Sequence, residues 1–278
     1  MIMRLKDGKS KVFTLSYDDG VVQDIRLMQL MDQYGVKGTF NINSGCYLAE
    51  DAQRERYYGR MKRSEALQTF RGCNHEIAAH GYYHMFLTQV RPEDRIREVW
   101  EDRKALEEDY GVIVRGMAYA NGAYNDEVIS ALRMCGICYS RTTVSTCKYT
   151  FPENWLALHP TCHHNNPKLM ELADKFVNGV NNERIYCKMF YVWGHSYEFD
   201  NDDNWQVMEA LLKFTGGRDD IWYATNIEIY DYVKAYQSLI VSLDGRTVTN
   251  PTATDVWFSD RKQTYCVRGG QTIHIESM

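Results

Sequence analysis

From Lys11 onward the chain alternates short apolar runs with longer amphipathic ones, and this alternation constrains the fold more than any other feature. KVFTLSY (11–17) is rich in β-branched and aromatic residues and ends in the turn signal Asp18-Asp19-Gly20. Apolar positions then recur at Val22, Ile25, Leu27, Met28, Leu30 and Met31, a helical stripe over 22–34 that Gly35 closes. KGTFNIN (37–43) predicts the next strand, 62–71 a helix stopped by Gly72, and HEIAAH (75–80) a short buried strand. A long charged helix is predicted from Pro92 to Tyr110, with proline in its first turn and Gly111 past its end. The pattern continues with strand 112–119, helix 125–134, strand 137–144, helix 167–178, strand 188–194, helix 203–214, strand 221–225 and helix 226–238. Seven or so β–α units imply an α/β fold, because parallel strands need crossover helices to join them. At 278 residues the expectation is a distorted parallel β/α barrel of about seven strands, with its chemistry at the C-terminal strand ends.

The last forty residues read differently. Turn signals at Asp244-Gly245, Asn250-Pro251 and Gly269-Gly270 separate β-branched runs. We expect a barrel over 1–238 and a small β appendage over 239–278, too short to carry a core of its own. Composition narrows the function. Acidic residues outnumber basic ones for a net charge of −5, and no Lys/Arg stripe offers phosphate counterions a replacement, so no nucleic-acid partner is expected. No apolar run approaches the ~20 residues a bilayer span needs, and MIMRLKDGKS lacks the apolar stretch of a signal peptide. The eight cysteines are scattered through a chain large enough for its own core, which suggests reduced thiols in a cytoplasmic protein. Oligomeric state is open.

Chemistry-bearing residues fall where strands end. Asp18 and Asp19 are adjacent, so they face different ways; one can hold a metal while the other accepts a proton. A polar Asp-Gly turn is the plainer alternative. His80 and His84 are spaced to share a face on a helical turn, the usual way to offer two imidazoles to one ion. With one carboxylate they form a set with open coordination positions, suited to a hydrolytic metal. Tyr119-Ala120-Asn121-Gly122 ends a strand in a tight turn that can expose backbone N–H groups to an oxyanion. His195, after VWG, has Glu198 close by, which would hold the imidazole protonated as a general acid; a buried structural histidine is the alternative. Trp193 and Tyr197 flank His195 and could offer it aromatic walls. Cys135-Gly136-Ile137-Cys138 reads as a helix end running into a strand rather than a redox pair. His159 and Cys162-His163-His164 form a further group without an acidic partner at ligand spacing, which reads as a loop rather than a metal site.

Together these motifs resemble the polysaccharide deacetylases, carbohydrate esterase family four, over about residues 10–235. LSYDDG stands where the family has T-F-D-D-G, and NHEIAAHGYYH where it has G-H-E-I-x-x-H-x-x-x-H. The resemblance implies that Asp18 is the catalytic base and His195 the acid. It implies that Asp19, His80 and His84 hold one divalent ion, zinc first, with cobalt, nickel or manganese also fitting. The Asn121 N–H would help hold the oxyanion, and Tyr119, Trp193 and Tyr197 would line the substrate site. There are departures. The family's third motif carries an arginine that orients the base and a tyrosine before the glycine; Ala118 and Asn121 occupy those places. Arg115 lies three residues upstream of Ala118, about 10 Å along the strand and on its other face. Trp193 replaces a leucine and narrows the pocket mouth, and the fourth motif is reduced to Glu153-Asn154-Trp155. The implied reaction is metal-assisted removal of N- or O-linked acetyl groups from a saccharide. The alternatives are a related amide or imide hydrolase acting on a small cyclic substrate, and a catalytically weak sugar-binding accessory protein.

Overall fold

The computed structural model describes residues 1–54, 58–179, 186–261 and 263–275. β1 (Ile2–Arg4) precedes β2 (Lys11–Asp18), α1 (Gln23–Gln33), β3 (Gly38–Ile42), α2 (Arg63–Phe70), β4 (Glu76–Ala79) and α3 (Pro92–Tyr110). Then follow β5 (Gly116–Ala118), α4 (Asp126–Met134), β6 (Tyr139–Arg141), β7 (Cys162–His163), α5 (Leu169–Val177) and β8 (Lys188–Gly194). α6 (Tyr197–Asn201), α7 (Trp205–Thr215), β9 (Ile221–Tyr223) and α8 (Asn226–Gln237) complete this part. The helix ends follow local chemistry. Pro92 opens α3, and Gly111 closes it at φ +67°, a left-handed conformation that glycine adopts without strain. Asn125 caps α4 by accepting from the Val128 N–H, and Thr225 with Glu228 makes a capping box on α8.

The strands form one parallel sheet in the order β6-β5-β4-β3-β2-β8-β7. β9 pairs with the N-terminal half of β2, at Lys11–Phe13, while β3 takes the C-terminal half from Leu15. β2 is therefore buried along its whole length, with Phe13, Leu15 and Tyr17 on one face and Val12, Thr14 and Ser16 on the other. The sheet curls until its edges meet. Leu158 exchanges hydrogen bonds with Ser140 and Thr142 on the β6 side, and after Pro160 the Thr161 N–H reaches Tyr191 on β8. The result is a distorted β/α barrel with its principal core between sheet and helices.

Two sequence expectations came out longer than the strands themselves. Only Gly116–Ala118 of 112–119 and Tyr139–Arg141 of 137–144 are strand. α6 and the two-residue β7 were not foreseen, being too short for a periodic signal.

Past α8, five strands follow: β10 (Ile240–Val241), β11 (Thr247–Thr249), β12 (Val256–Asp260), β13 (Gln263–Val267) and β14 (Thr272–His274). They make two small antiparallel sheets, β10-β11-β14 and β1-β12-β13. The first strand of the chain thus belongs with the last forty residues. Tyr232 on α8 bolts this unit to the barrel: its hydroxyl donates to the Arg4 carbonyl (2.7 Å) and accepts from the Trp257 N–H (2.9 Å). The cysteines carry free thiols.

Candidate metal centre and active site

Parallel register sets the site. Asp18 is level with Asn41, Ala79 with Met117, Ala118 with Arg141, and Tyr17 with Gly194. The residues that end these strands therefore share one rim.

Asp18 is buried at the end of β2. Its Oδ1 accepts from Asn41 Nδ2 (2.8 Å), and its Oδ2 is paired with the Arg141 guanidinium. His80 Nε2 and His195 Nε2 lie 3.7 and 3.8 Å from the same oxygen. Burial pushes this carboxyl up, but Arg141, then His80 and His195, outweigh it and hold it at about 2. Asp18 is a carboxylate at any working pH.

Asp19 turns the other way at φ +87°. Its Oδ1 lies 3.8 Å from His80 Nε2 and 3.8 Å from His84 Nε2, and the three ligand atoms are within 4.8 Å of one another. Residues 80–84 are not the helical turn their spacing suggested. Gly81 at φ +84° and His84 at φ +59° bend the chain so that the rings meet edge to face, centroids 4.8 Å apart. The bend is held from outside. Glu98 Oε1 accepts from the N–H groups of Tyr83 (2.7 Å) and Met85 (3.1 Å), and Asn43 Nδ2 donates to the carbonyls of His80 and Gly81.

His80 Nδ1 lies 2.9 Å from the Ala118 carbonyl, so Nδ1 carries the proton and Nε2 offers its lone pair toward Asp19. Burial holds this imidazole at about 4, neutral as a ligand must be. The donor chemistry of Asp19, His80 and His84 thus fits a divalent ion. Arg60 adds an outer partner, Nη2 to Asp19 Oδ1 at 3.1 Å and Nη1 to Asn43 Oδ1 at 2.8 Å.

His195 follows β8. Its Nδ1 is 3.4 Å from Glu198 Oε1, opposite the face that meets Asp18. Burial lowers its pKa, but Glu198, Asp18 and Asp19 outweigh burial and raise it. Ser196 anchors this loop through its hydroxyl to Asp24 Oδ1 (2.6 Å). Trp193 lies under Arg141, whose guanidinium is 4.3 Å from the ring centroid, and Tyr197 is 5.3 Å from His195.

Other expected residues lie elsewhere. Tyr119 is buried, gives its hydroxyl to the Leu156 carbonyl (2.7 Å) and stacks on Tyr124. Asn121 is exposed in a short turn at φ +57°, just past β5. Trp155 packs edge-on against Tyr230, and His159 is spent on Thr142. Arg115 pairs with Asp231 and does not replace the missing arginine. The guanidinium that faces Asp18 is instead that of Arg141, on the neighbouring strand at the level of Ala118. Sequence reasoning missed it because no local pattern connects positions 18 and 141.

A model of the family described as polysaccharide deacetylase matches residues 5–140. That half of the chain is thus similar to the polysaccharide deacetylases. Among solved structures it is similar to a Mycobacterium smegmatis protein that carries the polysaccharide deacetylase name (TM-score 0.58, 16% identity, 85% of this chain and 94% of that one). It is also similar to the esterase-family-four domain of a multidomain xylanase from the hindgut metagenome of Trinervitermes trinervoides (0.51, 16%, 81% and 92%). A third is a family 4 carbohydrate esterase from Streptomyces lividans in complex with acetate (0.50, 13%, 77% and 91%). At these identities the likeness is one of fold. No curated protein matches by sequence. Among the described residues, no helix is long and apolar enough to cross a membrane.

Proposed function

We propose that the chain is a metal-dependent hydrolase that removes acetyl groups, N- or O-linked, from an oligo- or polysaccharide. One observation carries this reading: Asp18 sits buried between an Asp-His-His donor set and the His195–Glu198 pair. Asp19, His80 and His84 would hold one divalent ion, with zinc, cobalt, nickel and manganese compatible with this mixed set. When bound, such an ion acidifies water and polarises an acyl oxygen.

Asp18 accepts the proton of the attacking water, and Arg141 keeps its carboxylate oriented and charged. His195 holds a proton against Glu198 and delivers it to the departing amine or alcohol. We assign the Asn121 N–H to the acyl oxygen as it becomes negative, since its turn follows β5 beside the rim. Tyr197 beside His195 offers ring surface to a pyranose, while Trp193, buried under Arg141, backs the wall behind His195. Tyr119 acts at one remove, its hydroxyl fixing the chain at Leu156.

Acetate release from acetylated xylo-, manno- and N-acetylglucosamine oligosaccharides, with and without chelator, tests the reading. Release that chelator stops and zinc or cobalt restores is expected. Sugar binding that persists in chelator, with no acetate from any member of the panel, would make the chain a binding protein instead.

A further inference from the structure

A second group of donors converges beside this site. His163 ends β7 and His164 follows it. Side chains at successive strand positions point to opposite faces, yet these rings lie 4.4 Å apart with a 34° tilt. The chain leaves the strand at this point and turns, the Asn166 N–H closing on the His163 carbonyl at 3.0 Å. Both Nε2 atoms then stand 3.2 Å from one oxygen, Glu198 Oε2. Glu198 comes from α6, thirty-five residues further on, so no ligand spacing in the sequence announces it.

His164 is 1% exposed, and its Nε2 lacks a hydrogen-bond partner among the described residues although the carboxylate is so near. The two atoms are close without being hydrogen-bonded, a placement open to an ion that both would bind. Donors around a tetrahedral zinc ion sit about 3.4 Å apart, and these three lie within 4.8 Å of one another. The outer contacts agree. His164 Nδ1 is 3.3 Å from the Tyr17 hydroxyl, which can accept the Nδ1 proton and leave the Nε2 lone pair free. Gly194 on β8 makes the room, since a Cβ there would fall 1.9 Å from His164 Nδ1.

We propose that His163, His164 and Glu198 form a second divalent transition-metal site, separate from Asp19, His80 and His84. Two imidazoles and one carboxylate select zinc, copper, nickel or cobalt over magnesium or calcium. It is the weaker of the two. His163 Nδ1 accepts the Asn165 N–H at 3.1 Å, which places the proton on Nε2, so filling the site breaks that bond. The carboxylate is shared: Glu198 Oε1 faces His195 while Oε2 faces the two histidines.

Zinc titration of the full chain by calorimetry, with elemental analysis after dialysis, tests this. Two ions per chain are expected, the second weaker by about tenfold, the scale at which a poorly supported ligand shell lowers affinity. His163→Ala is expected to keep only the tight ion, and Asp19→Asn only the weak one. Circular dichroism and melting curves separate loss of a site from loss of the fold, and Glu198→Gln substitutes if His163→Ala melts early. A single ion in the wild type, or a second ion that survives both His163→Ala and Glu198→Gln, overturns the proposal. The effect on turnover rests on the hydrolase reading: through Glu198, the second ion should slow acetate release in the wild type and not in His163→Ala. A chain that binds two ions and releases no acetate keeps this site and sinks that reading.

Discussion

Two neighbouring aspartates face different partners because a strand end points them apart. Asp18 is faced by Arg141, His80 and His195, and Asp19 by His80, His84 and Arg60. Asp18→Asn removes the base and leaves the donor set. Acetate release should fall about 10²–10⁴-fold, the usual worth of a positioned acid or base, with metal content unchanged; His80→Ala should lose both. Wild-type release from the Asn variant would refute the base assignment. Arg141→Met leaves a buried carboxylate without its cation, which should cost about 3–5 kcal/mol in chemical denaturation. The pH dependence follows in sign. Folded Asp18 titrates at about 2, below its unfolded value, so its stabilisation is present above that unfolded value and disappears as pH falls through 2. Without Arg141 the folded value rises, and acid unfolding should begin at a higher pH. Arg115→Met, at a surface pair, should change stability by no more than about 1 kcal/mol.

Between elements, buried polar groups do the joining. Glu76 at the start of β4 accepts from Thr39 on β3 (2.8 Å), Tyr139 on β6 (2.8 Å) and the Ile227 N–H of α8 (2.9 Å). Burial pushes its pKa up to about 7 against these three donors. The folded value lies above the unfolded one, so the contribution is fully present below the unfolded pKa and is lost as pH rises through 7. Glu76→Gln should therefore flatten the fall in melting temperature between pH 5 and pH 8; an unchanged slope would place the titration elsewhere. Tyr232→Phe removes one donor and one acceptor between α8 and the terminal sheets. A loss of about 1–3 kcal/mol is expected, measurable as a lower urea midpoint with catalysis intact.

At the scale of the molecule, the first strand of the chain joins the unit that follows α8, β1 against β12. Deleting 239–278 strips β1 of its partner and uncovers Tyr232, so the shortened chain should melt earlier than the intact one. Equal melting temperatures would make the terminal strands an ornament. The alternation of strand and helix was legible because the longer elements carry their own periodicity and their own stops, as Gly35, Gly72 and Gly111 show at φ between +65° and +75°. The convergence of Asp19, His80 and His84 was legible too, since they fall in two short motifs at strand ends. What determined these was local: which face a side chain takes and where a helix must stop. Arg141 beside Asp18, Glu198 beside His163 and His164, and β1 beside β12 were decided only by the closed sheet. Parallel register sets distant residues level with one another, and no repeat or spacing along the chain encodes that level.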